Sequence, residues 1–308
     1  MKWCETGVLA LFAGAVWCAL VTASASAQTP KPTPTFLPTP APILTPIAPI
    51  SLTVAPTSIN GIAFDAFVWF PSDVQTNTRA IFAKGQSLGN NPTAFSAIGD
   101  STIAGGQFLE RFSKGDYNLG PYDFLQPTLD VFTSSLKRTS TTVRVGLHSW
   151  TALNPTWANK DVCKPNETPV ACEFRINKPS YVFIRLGAND DANALFEKSM
   201  RNVLSYTVES GVVPILITKS NDPSLRTARN NASLRKLADE FKIPLVDFEL
   251  VAARLPGRGV GSDGVHMTGY WKVDYTLPSV FNSGHAMHNL AVLVGLTKIY
   301  QINTVKSR

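Results

Sequence analysis

Phe95-Ser96-Ala97-Ile98-Gly99-Asp100-Ser101-Thr102 joins a short apolar run to a polar turn. The run has the length and composition of a strand buried in a parallel sheet, and the turn begins where such a strand would end. A second stretch repeats the arrangement, with Tyr181-Val182-Phe183-Ile184 leading to Gly187-Ala188-Asn189-Asp190. Around these two runs (strands expected over 95–100 and 181–186), further strands are expected over 142–146, 213–218 and 244–248, and helices over 122–136, 191–210, 224–241 and 286–300. This alternation predicts an α/β chain: a three-layer α/β/α sandwich around a parallel sheet of about five strands. Ligands bind such sheets at the C-terminal edge, where the loops converge on a crevice. Both polar clusters are expected at that edge.

A third cluster, Asp263-Gly264-Val265-His266, completes the set. Together the three supply a hydroxyl, an amide, a carboxylate and an imidazole. These are the nucleophile, oxyanion donor, orienting group and general base of a serine hydrolase. Asp263 lies three residues before His266, so a tight loop can bring its carboxylate onto the ring nitrogen that faces away from the serine. Each cluster alone has a plainer explanation. Gly-Asp-Ser-Thr is a good turn and N-cap sequence, and His266 is one of four histidines with His148, His285 and His288.

In this order the clusters resemble blocks of the SGNH/GDSL hydrolases, named for a Ser, a Gly, an Asn and a His. Gly99-Asp100-Ser101 resembles the first block, Gly187-Ala188-Asn189-Asp190 the third and Asp263-Gly264-Val265-His266 the fifth. The resemblance spans roughly residues 90 to 300 and implies an SGNH-hydrolase-like, flavodoxin-like sandwich. It further implies Ser101 as nucleophile, His266 as base, Asp263 as its partner, and Ser101 and Asn189 among the oxyanion donors, with no cofactor and no metal. The family's second block offers a glycine N–H after the second strand. Here two residues compete for it: Gly146, directly after 142–145, and Ser149, which precedes Trp150-Thr151 and is favoured by position.

A rival nucleophile stands in Gly85-Gln86-Ser87-Leu88-Gly89, which fits the G-x-S-x-G elbow, with Ala80-Ile81-Phe82 as a candidate preceding strand. The elbow must open directly into a helix. Here Asn90-Asn91-Pro92 follows, and proline biases its predecessor away from helical geometry, so the match reads as accidental.

Composition fits a folded, exported chain. Of 308 residues, 44% are apolar and 16% charged, ordinary for a globular protein. Residues 1–27, with Lys2, an apolar run and Ala25-Ser26-Ala27, read as a signal peptide cleaved before Gln28, an uncleaved anchor being the alternative. Residues 28–56 carry prolines at close intervals and read as an extended spacer, either a tail or a stalk through a cell-wall layer. Residues 57–308 are the catalytic domain, with an N-terminal decoration over about 57–90. Past the signal the cysteines are Cys163 and Cys172, which export predicts to be disulfide-bonded. The formal charge of +6 is scattered, which argues against nucleic acid and for weak attraction to anionic polymers. Arg185 is either a group that steers an acidic substrate or the partner of a structural carboxylate. The reading is a secreted serine esterase acting on a small-molecule or polysaccharide ester. The alternatives are a non-catalytic glycan binder on the same fold and an acyltransferase.

Overall fold

The computed structural model describes residues 55–191, 194–220, 225–269 and 273–304; the expected signal peptide and almost all of the expected spacer lie outside the described residues. Four strands form the parallel part of the sheet: β2 (Asn91–Gly99), β3 (Pro179–Arg185), β4 (Val213–Ile217) and β5 (Leu245–Val246). A short strand, β1 (Val68–Trp69), pairs antiparallel with β5, so the order across the sheet is β1-β5-β4-β3-β2. Every residue of β3 and β4 is buried, as runs apolar on both faces require.

Two pairs of helices cover the sheet. Helix α1 (Ser72–Ser87) packs against the C-terminal helix α5 (Gly284–Thr304), and α3 (Ala194–Glu209) against α4 (Leu225–Phe241). Helix α2 (Pro169–Asn177) crosses from β2 back to β3. Thr168 Oγ accepts from the Ala171 N–H at its N-terminus, and Pro169 fills a first-turn position that needs no donor. The result is a three-layer α/β/α sandwich. Among the described residues, no helix is long and apolar enough to cross a membrane.

The structure departs from the sequence expectations in three places. Residues 142–146 do not form a strand: a single parallel bridge joins Gly99 to Val143, closed by Gly99 N–H to Thr142 O and Arg144 N–H to Gly99 O. Arg144 and Val145 are exposed, so nothing covers the second face that a longer edge strand would need. The helix expected over 122–136 is broken into a 3₁₀ turn (Gly120–Leu125) and two short helices (Gln126–Val131 and Thr133–Leu136). Pro121 and Pro127 start two of these pieces, because neither can donate to a helix already under way. Residues 57–90 are more than decoration, since they supply edge strand β1 and helix α1.

The rival elbow at Gly85–Gly89 lacks its strand, in line with the sequence reading: Ala80-Ile81-Phe82 is helical, so no strand precedes Ser87. Ser87 ends α1 with its hydroxyl donating to Lys84 O. The glycines around it have packing reasons: a Cβ on Gly85 would meet Gly211 O at 2.1 Å, and Gly89 turns the chain at φ +82°.

Candidate active site

β2 ends at Gly99, and the chain turns at once through Asp100, Ser101 and Thr102. Asp100 holds this turn: one carboxylate oxygen accepts the Thr102 N–H at 3.0 Å and the Thr102 hydroxyl at 2.5 Å. The other accepts Lys219 Nζ at 2.9 Å and the Ala188 N–H at 3.4 Å. The carboxylate therefore joins the Ser101 turn to the loop that carries Asn189. The Arg185 guanidinium donates to the Thr102 hydroxyl from below and reaches Met267 Sδ at 3.6 Å.

Asp100, Lys219 and Arg185 are all buried. Burial alone would raise the Asp100 carboxyl, but Lys219, Thr102 and Arg185 bring it below its ordinary value. Burial likewise pushes the Lys219 ammonium down, against the pull of Asp100. Arg185 is fully enclosed, so it does not steer substrate at the surface; it packs under the serine turn as a structural cation.

The third cluster comes from a small loop between Gly259 and Thr268. Val260 and Met267 form an antiparallel bridge, Gly261 N–H donates to His266 O, and Thr268 O accepts from His285 N–H at the start of α5. The ring so formed fixes the imidazole. His266 Nε2 lies 2.9 Å from Ser101 Oγ, and Nδ1 lies 2.7 Å from Asp263 Oδ2. Asp263 Oδ1 also accepts the N–H groups of Val265 and His266, each at 3.0 Å. These backbone donors, with the imidazole, hold the Asp263 carboxyl down at about 2, so it stays ionised across the neutral range. Asp263 and His266 are both about half exposed, at 52%, and the pair opens to solvent.

Asn189 follows β3 after Gly187, whose φ of +109° favours glycine and where a Cβ would press on Phe196 at 3.2 Å and Asn230 at 3.3 Å. The Asn189 amide donates to Leu147 O at 3.2 Å, which ties it to the segment where the second block was expected. There the structure corrects the preferred donor. The Ser149 N–H lies 2.9 Å and 3.1 Å from the two oxygens of Asp190, and its hydroxyl donates to the same carboxylate at 2.7 Å. An N–H held by a buried carboxylate is not presented to an oxyanion. Gly146, the other candidate, is half-buried in a left-handed turn at φ +75°.

Sequence reasoning missed Lys219 and the pairing of Ser149 with Asp190. The first had a signal, since a lysine two residues beyond β4 stands at the ligand-binding edge. The pairing of Ser149 with Asp190 had none, because the two lie 41 residues apart in the chain.

Cys163 and Cys172 are joined in a disulfide. Among the described residues they form with Glu167 a group spaced for a metal ion, but the bond between the two sulfurs takes both out of that role.

No protein-family model matches the chain, and no curated protein matches its sequence. Solved structures do resemble it in fold. A two-domain esterase active on acetylated mannans aligns over 74% of this chain at 14% identity and a TM-score of 0.43, the match spanning 54% of that chain. An acetylxylan esterase from Geobacillus stearothermophilus aligns over 70% of this chain and 97% of its own, at 17% identity and a TM-score of 0.44. A candidate GDSL-like lipase from Parabacteroides merdae aligns over 66% of this chain and 95% of its own, at 18% identity and a TM-score of 0.39. The chain's own layers and sheet order, a three-layer α/β/α sandwich, place the three clusters at one edge.

Proposed function

We propose that the protein is an exported serine esterase. The observation that carries this reading is the chain of contacts from Ser101 Oγ through the two nitrogens of His266 to Asp263. In this reading Nε2 takes the Ser101 proton as the hydroxyl oxygen attacks an ester carbonyl. Asp263 fixes the tautomer and stabilises the imidazolium. His266 then returns the proton to the leaving alcohol as the carbon–oxygen bond breaks. A water molecule, deprotonated by the same imidazole, releases the acyl group from Ser101.

The negative charge on the carbonyl oxygen needs donors. Asn189 has two amide hydrogens. One is directed at Leu147 O, which orients the group, and the second is assigned to the oxyanion, with the N–H of Ser101 and a donor from the segment around Gly146. Export is supported by the leader and spacer read in residues 1–56 and by the disulfide, a bond at home in oxidising compartments. Export and spacer also favour O-acyl groups on extracellular carbohydrate as the substrate. The test is hydrolysis of short-chain esters and acetylated polysaccharides by the secreted protein beside Ser101→Ala, with a fluorophosphonate as active-site label. Turnover and labelling that both vanish in the variant support the reading, and a wild-type protein that does neither refutes it.

A further inference from the structure

The segment from Arg138 to Thr168 has little regular structure, yet it is tied down at three points. Buried Glu173 accepts hydrogen bonds from Arg138, Thr141 and Ser96. The Cys163–Cys172 disulfide closes the far end, and Ser149 gives both its donors to Asp190 in the middle. Between these anchors the segment turns two indoles outward. Trp150 is 43% exposed and Trp157 37%, with ring centroids 5.9 Å apart and planes at 88°. The His148 ring sits 5.7 Å from Trp150 on a tilt of 36°.

Loose chain does not explain this exposure. Ser149 and Thr151, on either side of Trp150, are both buried, so the backbone is fixed while the indole faces out. An indole that stabilised the fold by burial would point inward, since few side chains remove more apolar area from water. Leu195, 55% exposed, extends the apolar strip. Trp150 and Leu195 together line two cavities, one of about 130 Å³ shared with His148, Asn189 and Asp191 and one of about 220 Å³ shared with Lys198 and Asn202. An apolar strip rimmed by polar groups marks a ligand site, and Asn189 links it to the catalytic cluster.

The lining selects the ligand. A pyranose ring presents C–H bonds on its faces and hydroxyls around its edge, which suits a flat indole bordered by Asp191, Lys198 and Asn202. An acyl chain would need a lining without those groups. We infer that Trp150, with Leu195 and His148, forms a sugar-ring subsite beside Asn189 that accepts the carbohydrate part of an ester substrate. This inference rests on the esterase reading and narrows its substrate to O-acylated oligo- or polysaccharides.

The experiment has a kinetic arm and a binding arm. Wild-type and Trp150→Ala proteins are compared on acetylated xylo- and manno-oligosaccharides, on ethyl acetate and on an octanoate ester. Losing an aromatic platform is expected to lower kcat/KM on the oligosaccharides on the order of tenfold more than on ethyl acetate, chiefly through KM, with Trp150→Phe recovering part of the loss. In the binding arm, Ser101→Ala is titrated by calorimetry with xylohexaose and mannohexaose, and Ser101→Ala/Trp150→Ala is expected to lose the binding seen. Equal losses on oligosaccharides and ethyl acetate, or a loss confined to the octanoate ester, would overturn the subsite. So would a protein that hydrolyses ethyl acetate but binds neither hexasaccharide. Hexasaccharide binding that depends on Trp150, in a protein that hydrolyses no ester, would uphold the subsite and defeat the esterase reading alone.

Discussion

Lys219 Nζ lies 2.9 Å from Asp100 Oδ2, with both side chains buried at the C-terminal edge of the sheet. The lysine is the counter-charge of the carboxylate that shapes the Ser101 turn. Lys219→Met would leave that carboxylate buried with Arg185 as the one remaining cation near it, at a cost of about 3 kcal/mol, the lower end for breaking a buried pair. Adding Asp100→Asn should recover part of the loss, because the uncompensated charge is then gone. Urea denaturation of the two single variants and the double variant measures this. Unchanged stability in Lys219→Met would show that the pair does not hold the turn.

Ser101→Ala and His266→Ala should each lower esterase turnover by several orders of magnitude, on the order of 10⁴-fold or more, while leaving the circular dichroism spectrum intact. Ser87→Ala should retain activity, since its hydroxyl caps a helix end. An inactive Ser87→Ala beside an active Ser101→Ala would move the nucleophile to the other end of β2.

Asn189→Ala should lower kcat by about 10²–10³ with a much smaller change in KM, because the bond lost forms mainly in the transition state. Ser149→Ala acts differently. It removes the hydroxyl from Asp190 and keeps the N–H, so it should cost about 1 kcal/mol of stability. Steady-state kinetics and denaturation on both variants separate the roles, and a Ser149→Ala enzyme with normal stability and a collapsed kcat would show that the Ser149 hydroxyl acts in the reaction instead of fastening Asp190.

His285 is half-buried in the first turn of α5, and burial, followed by Arg185, Arg111 and His266, pushes its imidazole down to about 4 from the ordinary 6.5. Below pH 6.5 the unfolded chain takes a proton that the folded protein refuses until about pH 4. Stability should therefore fall as pH drops through that window, by roughly 3 kcal/mol at most from this residue. His285→Gln should flatten the dependence of the urea midpoint between pH 7 and 4.5. A wild-type midpoint constant over that range would contradict the assignment.

The local loop closed by Cys163 and Cys172 should contribute about 2–3 kcal/mol. Cys163→Ser should show this loss in denaturation, and intact mass after alkylation, with and without reductant, should show one bond in secreted material. Two free thiols there would refute it.

What the sequence revealed followed burial. β3, β4 and residues 94–99 of β2 are enclosed on both faces and composition located them, whereas the exposed Asn91-Pro92-Thr93 that begins β2 carries no strand signal. Thr142-Val143-Arg144-Val145 has the letters of a strand, but its outward residues meet solvent, and nothing local announces that. Ser101 stood out in one short polar motif and Asp263 with His266 in another. Lys219 and Ser149 act through partners distant in the chain, Asp100 and Asp190, and no local pattern encodes such pairs. Ala66-Phe67-Val68-Trp69-Phe70 is rich in strand-forming residues, yet tertiary packing assigns Phe64–Phe67 to a helical turn and only Val68–Trp69 to the sheet.

In the segment from 138 to 168, the side chains that fasten the backbone are not the ones turned to solvent. Ser149 and Arg138 point inward to carboxylates, while Trp150, Trp157 and Val145 face out. Inheritance can therefore act on the two sets separately. Substitutions at the outward positions would diversify what the surface grips while the fasteners keep the segment in register. For a designer, the same separation offers a cassette: randomising Trp150, Trp157 and Val145 while leaving Ser149, Asp190, Glu173 and the disulfide untouched would retune selectivity on an unaltered catalytic chassis.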